Sequence, residues 1–264
     1  MKTSHSPRKR FSQHFLQDDH IIQRIITTIA PKPEQHLVEL GPGKGALTMP
    51  LLQYDCLLDV IELDRDLIEW LKQKTLSFKQ LRIHNADVLK FDFKQLVGDE
   101  KPLRVVGNLP YNISTPLLFH LVNYTNIIQD MVFMLQKEVV DRMVAIPATS
   151  DYGRLSVMLQ YHFQIEKLFD VESTAFYPSP KIMSSVVQLI PYFAPPVKIS
   201  NQKHFSQVVA QAFSQRRKTL RNTLKGLLDN EEIKTAGIEP QVRAETLTLT
   251  EFARLSNELT LNKD

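Results

Sequence analysis

Asn108-Leu109-Pro110-Tyr111 places one amide side chain and one aromatic ring on a single short turn. Such a pair suits chemistry on an aryl amine. The exocyclic amine of adenine is a poor nucleophile because its lone pair is delocalised into the ring. Two acceptors that hold its two hydrogens draw the nitrogen toward tetrahedral geometry and aim the lone pair at a methyl donor. The Asn108 side-chain oxygen and a backbone carbonyl next to Pro110 are candidate acceptors, since proline fixes its own φ and extends the residue before it. Tyr111 offers a flat surface for a flipped base. Asn-x-Pro is also an ordinary turn, so its weight depends on where it falls in the chain.

Short runs rich in branched residues alternate with helical stretches. Strands are expected over residues 36–40, 57–63, 81–84, 103–106 and 131–135, with helices after 45, over 64–74 and through 143. Strands alternating with helices imply parallel pairing with helices on both faces. Ligands then bind beyond the carboxyl ends of the strands, where strand order switches. Apolar stretches at 161–171 and 186–192 have no long helix between them and read as an antiparallel hairpin closing the sheet edge. Ala194-Pro195-Pro196 reads as a linker, and the pattern beyond about residue 200 is helical. The expected division is a domain over 1–195 and an all-helical one over 196–264.

A second constellation lies at the earlier strand ends. Glu39-Leu40-Gly41-Pro42-Gly43-Lys44-Gly45 follows the first strand with G-x-G-x-G spacing, not the G-x-G-x-x-G of dinucleotide folds. Glycine lets backbone approach a ligand where a Cβ would intrude. Glu62 ends the second strand, 21 residues after Gly41, where a carboxylate can accept both ribose hydroxyls. Asp87 ends the third and can receive the exocyclic amine of an adenine ring. Singly, these residues have ordinary explanations: a tight turn, a helix N-cap region, an Asx turn. In order, at successive strand ends, they favour an adenosyl ligand. Phe11-Ser12-Gln13-His14-Phe15-Leu16, upstream of the first strand, is placed to fold back over that ligand's far end.

With 264 residues, 43% of them hydrophobic, the chain can bury a full core and a smaller second domain. One cysteine, Cys56, in an apolar run, builds neither a disulfide framework nor a zinc cluster. A reducing cytosol is the natural compartment, and Cys56 is expected to be buried. No apolar run approaches the length of a bilayer span, and no metal is expected. A net charge of +3 is mild, so the location of charge matters more than its total. Between Gln211 and Leu228, a helical reading gives an apolar stripe of Phe213, Leu220, Leu224 and Leu227. Arg217, Arg221 and Lys225 fall beside it as a basic ridge, with Arg216 and Lys218 nearby and no acidic residue until Asp229. Five uncompensated positive charges favour phosphate contact. The Arg8-Lys9-Arg10 arm is a second candidate contact.

Together with Lys9-Arg10-Phe11-Ser12-Gln13-His14-Phe15-Leu16, Ile61-Glu62-Leu63-Asp64-Arg65, Asn85-Ala86-Asp87, Gly107 to Ser114 and Gln215-Arg216-Arg217-Lys218, these motifs resemble the ribosomal RNA adenine dimethyltransferase family. The likeness is closest to its bacterial small-subunit members and covers nearly the whole chain. It implies a seven-stranded, Rossmann-like methyltransferase sheet and S-adenosylmethionine as donor. The implied substrate is two adjacent adenines in a hairpin loop near the 3′ end of 16S rRNA, within the small subunit or its precursor, each gaining two methyls on N6. The implied enzyme is a cytoplasmic monomer with a part in late small-subunit biogenesis. The family's cofactor contacts fall on His14, Leu16, Gly41, Glu62, Asp87 and Asn108, and its catalytic turn on Asn108, Leu109, Pro110 and Tyr111. Family members often carry asparagine where this chain has His14, which leaves open whether side chain or backbone makes that contact. On the RNA side the expected contacts are Tyr111, Phe176 as an opposing stacking wall, Arg216, Arg217, Lys218 and Arg221. The competing readings are a large-subunit enzyme conferring antibiotic resistance, a non-catalytic assembly factor and a nicotinamide or flavin oxidoreductase.

Overall fold

The computed structural model describes residues 14–97 and 102–262; the Arg8-Lys9-Arg10 arm and Phe11-Ser12-Gln13 lie outside them. In chain order come β1 (Phe15–Leu16), α1 (Asp19–Ile29), β2 (His36–Leu40), α2 (Thr48–Leu51), β3 (Leu57–Glu62), α3 (Arg65–Lys74) and β4 (Leu81–Asn85). β5 (Leu103–Asn108), α4 (Ser114–Leu121), β6 (Ile128–Gln136), α5 (Lys137–Val144) and α6 (Arg154–His162) follow. The chain then forms β7 (Phe163–Val171), β8 (Phe176–Tyr177) and β9 (Ser184–Pro191). Four helices end it: α7 (Gln202–Ala212), α8 (Leu220–Thr223), α9 (Asn230–Thr235) and α10 (Leu249–Leu261).

Seven strands pair in the order β4-β3-β2-β5-β6-β9-β7. The first five are mutually parallel, and β9 joins β6 antiparallel. From β2 the chain runs outward through β3 and β4, then returns to the other side of β2 as β5. The switch in strand order therefore lies between β2 and β5, and the turns leaving those strands diverge there. Every residue of β2 is buried, so helices cover both faces of the sheet centre. α1 shows how: Asp18 caps it by accepting from the His20 and Ile21 amides, and Ile22, Ile25, Ile26 and Ile29 form its buried stripe. Those isoleucines share one core with Leu37, Leu58, Val60, Val106 and Val132 of the sheet, and with Cys56.

Two compact units result: Met1–Val140 with Ile165–Pro191, and Asp141–Gln164 with Tyr192–Asp264. This corrects the expected cut between residues 195 and 196. Residues 141–164 group with the C-terminal helices because α6 buries Leu155, Val157, Leu159 and Tyr161, and the Tyr161 ring packs 5.0 Å from that of Phe205 on α7. The edge strand accordingly starts at Phe163 and not at Tyr161. In the second unit α10 opens on a capping box between Thr248 and Glu251 and buries Phe252, Leu255 and Leu259.

The single helix read across residues 211–228 is also corrected. α7 stops at Ala212, Thr219 turns extended (φ −77°, ψ 160°) to start the four-residue α8, and Gly226 takes φ +87°. Phe213, Leu220 and Leu224 still face inward in part, but on separate segments, so Arg217, Arg221 and Lys225 form no continuous helical ridge.

Candidate functional site

At the switch point, β2 and β5 run side by side so closely that a Cβ on Gly107 would sit 2.6 Å from the Leu40 carbonyl oxygen. Only glycine fits there, and the close approach brings Asn108 beside the turn that leaves β2. Gly41 begins that turn at φ +66°, a left-handed conformation open mainly to glycine. Between the two turns lies a cavity of about 360 Å³. His14, Leu16, Gly41, Glu62, Asp87, Asn108, Leu109, Pro110 and Tyr111 all line it, alongside Glu39. Every residue of that lining belongs to the first unit.

The carboxylates are held, not loose. Glu62 accepts from the Leu63 and Asp64 amides through Oε1 (2.9 Å each) and from the Gly43 amide through Oε2 (3.3 Å). Burial nevertheless keeps its pKa above the ordinary value, against the pull of those amides. Its Oε2 carries only the long Gly43 contact, which leaves it open to a ribose diol. Asp87 closes an Asx turn on the Leu89 amide through Oδ1 (3.0 Å), with Val88 and Leu89 adding apolar wall beside it. Glycine turn, diol-ready carboxylate, apolar slot and second acid suit an adenosyl group in that order.

Glu39 was not singled out as a contact in the sequence reading. It is 2% exposed, accepts from the Thr48 hydroxyl at 2.6 Å, and burial raises its pKa to about 7, with the Glu62 charge adding to the rise. The signal was an acid inside an otherwise apolar strand, His36-Leu37-Val38-Glu39-Leu40.

At the turn after β5, Asn108 Nδ2 donates to the His14 carbonyl at 3.3 Å, so its Oδ1 is left for a ligand. The Pro110 carbonyl is taken by the Ile113 amide (3.2 Å) and the Ser114 hydroxyl (3.1 Å). Of the carbonyls flanking the proline ring, that leaves Leu109's as the second acceptor. Tyr111 stacks on the His14 imidazole, centroids 5.8 Å apart, and its hydroxyl meets Ser184 Oγ at 2.8 Å. The phenol therefore has a fixed plane, and burial raises its pKa so that it stays neutral. The His14 ring also donates from Nδ1 to the Pro178 carbonyl at 2.6 Å.

Two residues expected to contact RNA have partners within the chain. Phe176 does not line the cavity; it is 5% exposed and lies in the core with Leu16 and Ile22. Arg216 is not uncompensated: it donates to the Ser150 carbonyl at 2.6 Å and pairs with Glu245 at 3.5 Å. Arg217, Lys218, Arg221 and Lys225 are exposed. Among the described residues no cluster of three or more metal-ligating side chains occurs, and no helix is long and apolar enough to cross a membrane.

A sheet of this order, parallel except at its β9 edge, with a glycine turn and acids at its strand ends, defines a Rossmann-like, S-adenosylmethionine-dependent methyltransferase. The family described as ribosomal RNA adenine dimethylase matches residues 4–261, and the chain belongs to it. A protein of Laribacter hongkongensis named ribosomal RNA small subunit methyltransferase A is 54% identical over 253 residues, 96% of either chain. Its namesake from Pseudomonas aeruginosa is 52% identical over 255 residues, 97% of this chain and 95% of that one. Among solved structures, a dimethyladenosine transferase from Plasmodium falciparum superimposes with a TM-score of 0.76 at 25% identity, over 92% of this chain and 96% of that one. The 23S rRNA methyltransferase ErmE shares the fold, with a TM-score of 0.71 at 24% identity over 93% and 99%.

Proposed function

We propose that this chain dimethylates N6 of two adjacent adenines in the 3′-terminal hairpin loop of 16S rRNA, within the small ribosomal subunit or its precursor, late in subunit biogenesis. It acts in the cytoplasm as a single chain. His14, Leu16, Gly41, Glu62, Asp87 and Asn108 hold S-adenosylmethionine. Glu62 takes the ribose hydroxyls and Asp87 the adenine amine. Because the side chain of His14 is engaged with Pro178 and Tyr111, and its carbonyl with Asn108, it acts by shaping the wall.

When bound, S-adenosylmethionine supplies a methyl on positively charged sulfur, an electrophile that needs no further activation. The protein's contribution is then position and exclusion of water. Asn108 Oδ1 and the Leu109 carbonyl take the two amine hydrogens, and Tyr111 stacks on the base. So held, the nitrogen would aim its lone pair at the methyl of a donor bound by Gly41, Glu62 and Asp87, the C–S electron pair would remain on sulfur, and the amine proton would pass to water afterwards. No strong base is needed first, because the nitrogen becomes acidic only as the bond forms. For the second methyl a single N–H remains to be held.

The observation that carries this reading is the Asn108 amide locked by the His14 carbonyl beside the glycine turn. The test supplies labelled methyl donor to unmethylated small subunits and, separately, to large subunits, and maps the modified bases. Label on two adjacent adenines of 16S rRNA is expected. Label confined to large subunits, or none, overturns the proposal.

A further inference from the structure

We propose that Tyr177 is the platform on which the nucleotide beside the target adenine stacks, at the rim of the cavity; this rests on the reading of RNA as substrate. β1 and β8 pair antiparallel, with Phe15 opposite Tyr177 and Leu16 opposite Phe176. Residues directly opposed in such a pair project from the same face, and their neighbours from the other. Leu16 and Phe176, 4% and 5% exposed, occupy the core side. Phe15 and Tyr177 share the opposite side.

Both residues of β1 line the cavity, but only the Phe15 ring fills the space in which Gly43 lacks a side chain, 3.3 Å from an added Cβ, so that side faces the glycine turn. Tyr177 is therefore held one cross-strand spacing from the cavity wall. Phe15 is covered there, at 7% exposure, whereas Tyr177 stands 60% exposed. The Lys44 ammonium lies 4.7 Å over the Phe15 ring, which sets a cation on the same side. Directly after Tyr177, the Pro178 carbonyl is tied to His14, whose imidazole stacks on Tyr111. The ribbon is thus braced against the turn that holds the amine.

A lone exposed ring on a protein surface is ordinary. Here it stands in register with the cavity wall, opposite a ring that carries an ammonium, and braced to the catalytic turn. A nucleotide matches that set: a base face for the ring and a phosphate for the cation. Two adjacent target adenines give the platform a task, since the second must be held while the first occupies the cavity.

The test compares Tyr177→Ala and Tyr177→Phe with the parent chain, measuring S-adenosylmethionine affinity, and KM and kcat on unmethylated small subunits. Tyr177→Ala should raise KM for the subunit by about five-fold or more, the effect of losing one stacked base, with cofactor affinity within about two-fold. Tyr177→Phe, which keeps the ring, should match the parent. An unchanged KM in Tyr177→Ala, with the parent active, overturns the platform and leaves the methyltransferase reading standing. Weakened cofactor binding with unchanged KM also overturns it, by assigning the ring to the cofactor side. A parent that transfers no methyl to small subunits removes both.

Discussion

Asn108 works through the direction of one amide, so the informative substitutions are those that change direction without changing size. Asn108→Ala removes one acceptor and should lower kcat by about a hundred-fold, the cost of a roughly 1 Å misplacement of the reacting groups, while folding persists. Asn108→Asp is the sharper variant. A carboxylate cannot donate to the His14 carbonyl, so it should swing away, and activity should fall comparably. Full activity in the aspartate variant would mean that charge, not a neutral oriented acceptor, drives the reaction. Glu39 makes a prediction of another kind. Burial raises its pKa from 4.5 to about 7, so between those values the folded chain holds a proton that the unfolded chain has lost. Stability contributed by this group therefore falls as pH rises through that window, by roughly 3 kcal/mol in total, and is level above it. Glu39→Gln keeps an acceptor for Thr48 and should raise the melting temperature at pH 8 while changing it little at pH 4.5. Equal effects at both pH values would refute the buried, proton-binding state. The convergence of Asn108, Glu62 and Asp87 on one cavity was readable from sequence because each fell at a strand end. The Ser184 hydroxyl that meets Tyr111 was not, since it lies 73 residues away with no local pattern to announce it.

What holds the elements behind that site is clearest at Arg104, which the sequence presents only as an interruption in a buried strand. Its guanidinium meets Asp130 on β6 through Nε and Nη2, both at 2.8 Å. It also donates to the Ile29 carbonyl at 2.7 Å, one of the carbonyls that the C-terminal turn of α1 leaves without an intrahelical partner. One side chain thus joins β5, β6 and α1, the helix that follows β1 and the cavity wall. Arg104→Met should cost about 3–5 kcal/mol, because it strands a buried carboxylate; urea unfolding gives the value. Adding Asp130→Leu should recover most of the loss. A double variant no better than the single one would show that the α1 carbonyls, not the ion pair, dominate. The strands and α1 were legible because their periods are local and strong, as in Ile22, Ile25, Ile26 and Ile29. The helix over 211–228 was misread for a physical reason. Phe213 and Leu220 lie seven residues apart, a spacing that a continuous helix and two segments joined by a turn satisfy equally. The extended Thr219 that bridges to Arg243 is a tertiary pairing invisible to periodicity. β8 escaped for a similar reason, being two residues long and paired with residues far upstream.

For the whole chain, the residues that line the cavity and the exposed cations of the C-terminal region fall in different compact units. That division was only half legible: composition marks the proline-rich stretch near 195, but nothing in the order of residues shows that 141–164 returns to join the later helices. The separation permits chemistry and RNA affinity to be changed independently. Arg216, Arg217, Lys218 and Arg221 are all exposed, but Arg216 is also engaged with Ser150 and Glu245. Each phosphate contact contributes about 0.7 to 0.9 to the slope of log affinity against log salt. Replacing Arg217, Lys218 and Arg221 together by alanine should therefore weaken small-subunit binding and flatten that slope by roughly two to three units. S-adenosylmethionine affinity should not change. Arg216→Ala alone should leave the slope nearly where it was, since its charge already faces a carboxylate. Binding measured across a salt series separates the two cases: a slope that moves with Arg216 as much as with its neighbours would show that the pairing with Glu245 yields to RNA. A triple variant with an unaltered slope would move the phosphate contacts off this region altogether.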